Sequence, residues 1–83
     1  MNYPVVVEVT LREGIADPEG ATIERALPAL GFSGVRRVRA GKSFRFEVEA
    51  PDEATALATA RSLAERLLAN PVIEDAAVRL EAR

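Results

Sequence analysis

Acidic side chains are the first candidates for chemistry in this sequence. Glu47 and Glu49 lie two residues apart, which places them on one face of a strand, and Glu74 directly precedes Asp75. Paired carboxylates serve in glycoside hydrolysis and as ligands of hard cations. Because arginines are abundant in the same chain, solvated ion pairs are the favoured interpretation. The sequence therefore predicts no catalytic residue and no metal ligand here.

Basic side chains are the second candidates, and they cluster in one short segment. The cluster consists of Arg36, Arg37, Arg39, Lys42 and Arg45. Such a patch suits a phosphate, a nucleotide or an acidic partner, and it equally suits a solvated strand edge whose charges prevent edge pairing. Gly41-Lys42 could hold an anion through backbone N–H groups. The pattern G-x-x-x-x-G-K-[ST] is absent, so an ordinary hairpin turn is predicted there.

Two residue types that carry much of enzyme chemistry are missing. The chain has no cysteine and no histidine, which excludes disulfides, thiolate zinc sites and thiol nucleophiles and removes the commonest general base. The net charge is −2 and the pI is about 5.1, which argues against nucleic acid as a ligand. No apolar run is long enough to span a membrane, and the start lacks a secretory signal pattern. We expect a cytoplasmic protein that is not an enzyme by itself.

Hydrophobic periodicity predicts the elements that would position these groups, as a single domain over residues 1–83. The predicted strands are 3–12, 35–40, 44–50 and 72–81. Asp17 and Asp52 are predicted caps of two helices, the first ending at Gly31 and the second at Asn70-Pro71. Pro28 should kink the first helix or end it early. The predicted buried stripe of the second helix is Leu57, Ala60, Leu63, Ala64, Leu67 and Leu68.

This β-α-β-β-α-β order predicts an α+β, ferredoxin-like antiparallel sheet with both helices on one face. The other face is predicted to be exposed to solvent at Glu8 and Thr10. Around Val6 it is predicted to be partly apolar, as a subunit contact would be. An 83-residue chain has a small core, and oligomerisation is a common way to stabilise one. We expect a homodimer formed through sheet edges or through the open sheet face.

Four segments together resemble one family, PurS, the small subunit of phosphoribosylformylglycinamidine (FGAM) synthase. They are residues 11–20 (LREGIADPEG), 26–32 (ALPALGF), 38–42 (VRAGK) and 67–75 (LLANPVIED). The segments occur in the family's order and spacing over nearly the whole chain. Pro28 departs from the family's usual pattern and bears on the regularity of the first helix.

The resemblance implies a bridging subunit without catalytic residues of its own. In the family's reaction, formylglycinamide ribonucleotide, ATP and glutamine give the amidine, ADP, phosphate and glutamate. A large synthetase subunit, PurL, would bind ATP and Mg²⁺, a glutaminase subunit, PurQ, would release ammonia, and this chain would associate with both as a homodimer or tetramer. A regulatory dimer that binds a small molecule is the alternative interpretation.

The resemblance also marks residues that are either partner contacts or simply turn and cap formers. These are Asp17, Pro18, Gly20, Gly41, Lys42, Leu67, Leu68, Asn70, Pro71, Val72, Ile73, Glu74 and Asp75.

Overall fold

The computed structural model describes residues 1–81 and shows three strands and two helices. Strand β1 is Asn2–Leu11, helix α1 is Pro18–Ala26, and a 3-10 turn follows at Pro28–Leu30. Strand β2 is Gly41–Glu49, helix α2 is Glu53–Leu63 with a wide π-helical turn at Ala64–Leu68, and strand β3 is Glu74–Leu80. The sheet is antiparallel in the order β2-β1-β3. The predicted α+β class and antiparallel sheet are confirmed.

The predicted strand at 35–40 does not form within the described chain. These residues make no turn or bend, but they pair with no strand. The backbone N–H groups of Val38 and Ala40 donate instead to the carboxylates of Glu24 and Asp17. The predicted four-stranded order is therefore wrong by one strand, because side chains around α1 take the hydrogen bonds that a ladder would have used.

Among the elements within residues 1–81, α2 is the helix that packs extensively on the sheet. Helix α2 contacts all three strands, whereas the extensive contacts of α1 are with the 3-10 turn that follows it. The predicted placement of both helices on one face is wrong for this reason. The molecule is long, 51 × 31 × 14 Å, and its radius of gyration of 16.1 Å exceeds the value of about 12 Å for a compact chain of this length. We call residues 18–40 the arm, and the sheet with α2 and its wide turn the body.

The core lies between β1 and α2 and consists of small aliphatic side chains. The alternation of β1 places Val5, Val7 and Val9 against α2, and each is at most 1% exposed. The buried face of α2 and its wide turn consists of alanines at a spacing of four residues, Ala56, Ala60 and Ala64. Small side chains on both elements let the helix lie close to the strand. Half-buried side chains surround this centre: Tyr3, Phe44, Phe46, Leu68, Ala69, Val78 and Leu80.

The end of α2 differs from the predicted stripe. Leu67 is 74% exposed, although its position in the helical pattern predicts burial. In the wide turn the Ala69 N–H donates to the Ala64 carbonyl, five residues back. The buried line therefore runs through the alanines to Leu68, which packs against the core, and Leu67 points away from it.

Helix capping follows the sequence closely. Asp17 and Asp52 each accept a backbone N–H three residues ahead, from Gly20 at 2.9 Å and Thr55 at 2.7 Å. Helix α1 ends before Pro28, which begins the 3-10 turn, as the missing N–H of proline requires. Gly31 ends that turn at φ 89, a left-handed conformation that glycine adopts without strain.

The open face of the sheet is more polar than predicted. Val6 is 1% exposed there and lies opposite Arg45 on β2 and Arg79 on β3. Arg79 is 2.8 Å from Glu8, and Arg45 is 3.3 Å from Glu81. Arginine stems beside Val6 account for its burial, since long charged side chains cover apolar surface while their heads stay in water. Within residues 1–81 this face therefore presents ion pairs around Val6.

Candidate interaction site

Asp17 joins the start of α1 to the end of the arm. One carboxylate oxygen accepts the Gly20 N–H, and the other accepts the Ala40 N–H at 2.7 Å. The Arg39 guanidinium lies 4.0 Å away, and the Asp17 side chain is only 6% exposed. The Gly20 and Ala40 N–H groups, with the Arg39 charge, hold the pKa of Asp17 below its ordinary value of 3.8. The Asp-Pro-x-Gly motif therefore has a structural role. We call the hydrogen bonds of Asp17 with Gly20 and Ala40 the latch.

Gly20 and Glu24 complete this latch. A Cβ built on Gly20 would lie 2.3 Å from the Val38 carbonyl oxygen, so only glycine permits this close approach of α1 to the segment before β2. One turn further on, the Glu24 carboxylate accepts the Val38 N–H at 2.9 Å. Sequence reasoning missed Glu24, and no local signal marks it, because its partner lies fourteen residues away.

Gly41 and Lys42 begin strand β2 and form no hairpin turn, so that prediction is wrong. Both residues pair with β1, Gly41 opposite Thr10 and Lys42 opposite Val9. A Cβ on Gly41 would lie 2.8 Å from the Val9 carbonyl oxygen. Position 41 therefore requires glycine because the backbone of β1 packs closely against it. Lys42 is exposed and forms no ion pair with any residue from 1 to 81.

The segment 70–75 contains a tight turn that leads into β3, and its own side chains hold it. The Asn70 side chain accepts the Val72 N–H at 3.0 Å, and the Asn70 N–H donates to the Glu74 carboxylate at 2.7 Å. Arg12 braces the turn from the end of β1: its guanidinium donates to the Pro71 carbonyl at 2.6 Å and lies 3.3 Å from Asp75. Sequence reasoning missed this role of Arg12. Its position directly after β1, inside the first motif segment, was the available signal.

The structure brings parts of three of the four motif segments together, those at 11–20, 38–42 and 67–75. A shallow depression at one end of the sheet is lined by Val9, Leu11, Asp17, Glu19, Ala40, Gly41, Lys42 and Glu74. Leu68 does not join it, because its side chain packs on the core. Val72 is 76% exposed on the turn beyond it, and Leu67 is exposed to a similar degree. The motif residues thus provide a polar surface at one end of the sheet, together with the exposed aliphatic side chains of Leu67 and Val72.

The candidate carboxylates do not converge on a metal-binding arrangement in the described part of the chain. Residues 1–81 contain no group of three acidic side chains that could hold an ion. Glu74 accepts a backbone N–H, and Asp75 lies beside Arg12. A larger open groove between α1 and residues 37–39 includes Asp17 and Glu24, whose oxygens already accept backbone hydrogen bonds. None of the helices in residues 1–81 has the length and apolarity to cross a membrane.

Comparison with known proteins identifies related sequences over nearly the whole chain. The family model described as PurS, phosphoribosylformylglycinamidine (FGAM) synthase, matches residues 4–82. The PurS subunit of Mycobacterium leprae is 44% identical over 78 residues, covering 94% of this chain and 95% of the relative. That of Synechocystis sp. is 43% identical over 74 residues, 89% of this chain and 74% of the relative.

Solved structures show the same fold. The crystal structure of the PurS subunit from Thermotoga maritima superposes with a TM-score of 0.91 at 36% identity, covering 98% of this chain and 93% of that one. A chain of the PurLQS structure from the same organism gives a TM-score of 0.90 at 36% identity, with 98% and 99% covered. The family match and the shared fold together show that this chain belongs to the PurS family of FGAM synthase subunits.

Proposed function

We propose that this chain is the bridging subunit of an FGAM synthase, holding the synthetase and glutaminase subunits in register for ammonia transfer. The observation that carries the proposal is the match to a chain of PurLQS from Thermotoga maritima, with a TM-score of 0.90 over 98% of this chain. In Thermotoga maritima a protein of this fold is thus part of PurLQS, one assembly with PurL and PurQ. The matches do not favour a regulatory ligand-binding dimer.

The residue types of the chain suit a subunit that positions others. Hydrolysis of glutamine through a thioester needs a thiol and a base, and the sequence contains neither cysteine nor histidine. We therefore place glutamine hydrolysis in PurQ, and ATP with Mg²⁺ in PurL. Ammonia that leaves one active site is protonated or lost unless the second site is held close. Relative placement of the two sites is a contribution that needs no catalytic side chain.

The motif residues supply a surface of the right kind. Leu67 and Val72 expose aliphatic side chains, 74% and 76% respectively, next to a turn that Arg12 and Asn70 hold in one conformation. A rigid turn loses little conformational entropy on binding, which favours a specific contact. We assign this surface to a synthase subunit, and we place the complex, with this chain as a homodimer, in the cytoplasm.

Reconstitution tests the proposal directly. Purified PurL and PurQ of the same organism would be assayed for FGAM formation with and without this chain, using glutamine or ammonia as nitrogen donor. We expect glutamine-dependent synthesis to require the chain and ammonia-dependent synthesis to proceed without it. The isolated chain should hydrolyse neither glutamine nor ATP. Failure to restore glutamine-dependent synthesis would overturn the proposed function.

A matched pair of variants tests the proposed contact surface. Leu67→Glu with Val72→Glu places charges where we expect a desolvated contact, and should abolish co-elution with the two partners on size exclusion. Thr59→Glu on the exposed side of α2 adds a charge elsewhere and should leave co-elution unchanged. Equal behaviour of the two proteins would remove residues 67 and 72 from the interface.

A further inference from the structure

The last turn of α2 contains one residue more than a regular helix needs. The wide turn at Ala64–Leu68 is closed by the Ala69 N–H, which donates at 2.9 Å to the carbonyl five residues back. A regular α-helix closes each turn four residues back. Wide turns of this kind are rare inside α-helices and occur frequently at functional sites. No proline or glycine lies within residues 64–68 to force the irregularity.

The extra residue decides which leucine faces the core. In a regular helix, positions 67 and 68 lie three and four residues after the buried Ala64, so both would fall on the buried face. In the structure Leu68 packs on the core, whereas Leu67 is 74% exposed. The wide turn therefore directs one large aliphatic side chain into water. Such exposure is unfavourable in the free chain and becomes favourable when a partner covers the side chain.

The adjoining turn presents Val72 with its own backbone donors already occupied. The Asn70 carbonyl accepts the N–H groups of Ile73 and Glu74, at 3.2 and 2.8 Å. The Asn70 side chain accepts the Val72 N–H, and the Glu74 carboxylate accepts the Asn70 N–H. Since Pro71 has no N–H, every backbone donor of the turn is bonded within the chain. The turn therefore offers a partner mainly the aliphatic side chain of Val72, which is 76% exposed.

Arg12 fixes this turn from the end of β1. Its backbone N–H donates to the Ile73 carbonyl at 2.8 Å, and its guanidinium donates to the Pro71 carbonyl at 2.6 Å. The same guanidinium lies 3.3 Å from Asp75. These contacts hold the backbone on both sides of Val72 and leave its side chain exposed. Arg12 is therefore placed to position Val72 and not to bury it.

The surroundings of Leu67 and Val72 favour an apolar partner surface. Beside Leu67 the exposed charges are Glu65 and Arg66, one of each sign, and neither forms an ion pair within residues 1–81. With no net charge there, the site does not select a charged partner. A stable interface between two copies uses about 20–30 residues a side, far more than this surface offers. It suits one contact within an assembly that has others.

We propose that Leu67 and Val72 insert into an apolar surface of one synthase subunit, with Arg12 as the positioning residue that directs Val72 toward it. The extra residue in the wide turn directs Leu67 outward for the same contact. This rests on the proposed function and adds the chemistry of the partner surface and the two local features that match it. Binding should show a negative heat-capacity change, and its dissociation constant should change less than about threefold between roughly 0.05 and 0.5 M salt.

Removing Leu67 outright tests the role of the extra residue. Ala69 then follows Ala64 by four residues, so the same hydrogen bond closes a regular turn. The thermal midpoint should be no lower than that of the unaltered chain. The dissociation constant for a mixture of purified PurL and PurQ should rise roughly ten- to hundredfold, as expected for the loss of one buried leucine. Leu67→Ala, which keeps the wide turn, should show the same loss, and Arg66→Ala should change binding less than about twofold.

A double-mutant cycle tests whether Arg12 acts through Val72. Arg12→Ala alone should raise the dissociation constant about tenfold, because the turn is no longer held in one conformation. In a Val72→Ala background the same substitution should raise it less than about twofold, since no side chain remains to be positioned. Effects that simply add would overturn the positioning role. Equal circular dichroism spectra would show that all the variants are folded.

The outcomes separate this inference from the proposed function. If the unaltered chain binds and supports glutamine-dependent synthesis while both Leu67 variants bind equally well, only the inference is overturned. A loss in the deletion but not in Leu67→Ala would assign the effect to the shape of the turn, and would also overturn it. So would a smaller mass of isolated Leu67→Ala by light scattering, which would place the surface between copies. An unaltered chain that neither binds nor supports synthesis would overturn the proposed function as well.

Discussion

The body and the arm of this molecule are held together by different forces. The body contains the buried apolar residues of the core, with Val5, Val7 and Val9 packed on the alanines of α2. In the arm, Gly20 is the one buried residue, while Ile23, Leu30, Phe32 and Val35 are between 44% and 70% exposed. The arm instead relies on carboxylates that accept backbone N–H groups.

Because of this difference, the two regions should respond differently to mutation and to a change in pH. Burial of apolar surface is insensitive to pH and is lost only when the whole core opens. Carboxylate latches depend on ionisation and on close approach of the backbone, so they can open locally while the sheet stays intact. Disturbing one region at a time should therefore give distinct signatures.

The largest effect is expected from Val7→Ala in the body. Val7 is fully buried, so removing two carbons costs about 2 kcal/mol of unfolding free energy through lost transfer and a residual cavity. Urea denaturation followed by circular dichroism would measure it. Thr59→Ala, on the exposed side of α2, is the control and should change stability by less than about 0.5 kcal/mol. An equal loss in both proteins would show that β1 does not carry the core.

Gly20→Ala should loosen the arm and leave the body folded. The new Cβ would lie 2.3 Å from the Val38 carbonyl oxygen, and relieving such an overlap typically costs about 1–3 kcal/mol. Hydrogen exchange should show faster exchange at the Val38 and Ala40 amides and unchanged protection at Val7. Glu19→Ala on the same helix is the matched control. Uniformly faster exchange throughout the chain would mean that the two regions unfold together.

Acidification should release the arm before the body. Because the pKa of Asp17 is held below 3.8, its stabilising contribution is fully present above that pH and is lost as pH falls below it through the folded pKa. The NMR amide signals of Gly20 and Ala40 should therefore titrate together below pH 3.8, while the Val7 signal stays fixed. In Asp17→Asn this shared titration should vanish. A midpoint above 3.8 would contradict the latch.

The smallest effect is expected from Arg12→Lys. Arg12 braces the 70–75 turn with a guanidinium fork, which lysine cannot reproduce. Because the side chains of this ion pair are 50% and 69% exposed, the loss should be below about 1 kcal/mol. Thermal denaturation compared with Arg61→Lys, an exposed arginine on α2, would resolve it. A loss several times larger would show that the turn is coupled to the core.

Local features of the fold were largely predictable from the sequence. Alternation defines β1, the Asp17 and Asp52 caps begin the helices, and Pro28 with Gly31 ends the first helical segment, because each acts through neighbours a few residues away. The motif segments were recognisable because each is a short contiguous stretch of sequence. Together they were sufficient to identify the family. The composition also showed directly that the chain has no cysteine thiol and no histidine imidazole.

The features that the sequence did not predict depend on tertiary contacts. Residues 35–40 read as a strand, but the hydrogen bonds from Val38 and Ala40 go to carboxylates 14 and 23 positions away along the chain. Gly41-Lys42 read as a turn, but the close approach of Val9 keeps it extended in β2. Sequence patterns determine which local conformations and faces are favoured. Which distant group takes a given backbone hydrogen bond depends on three-dimensional proximity, and that is why the arm stands apart from the sheet.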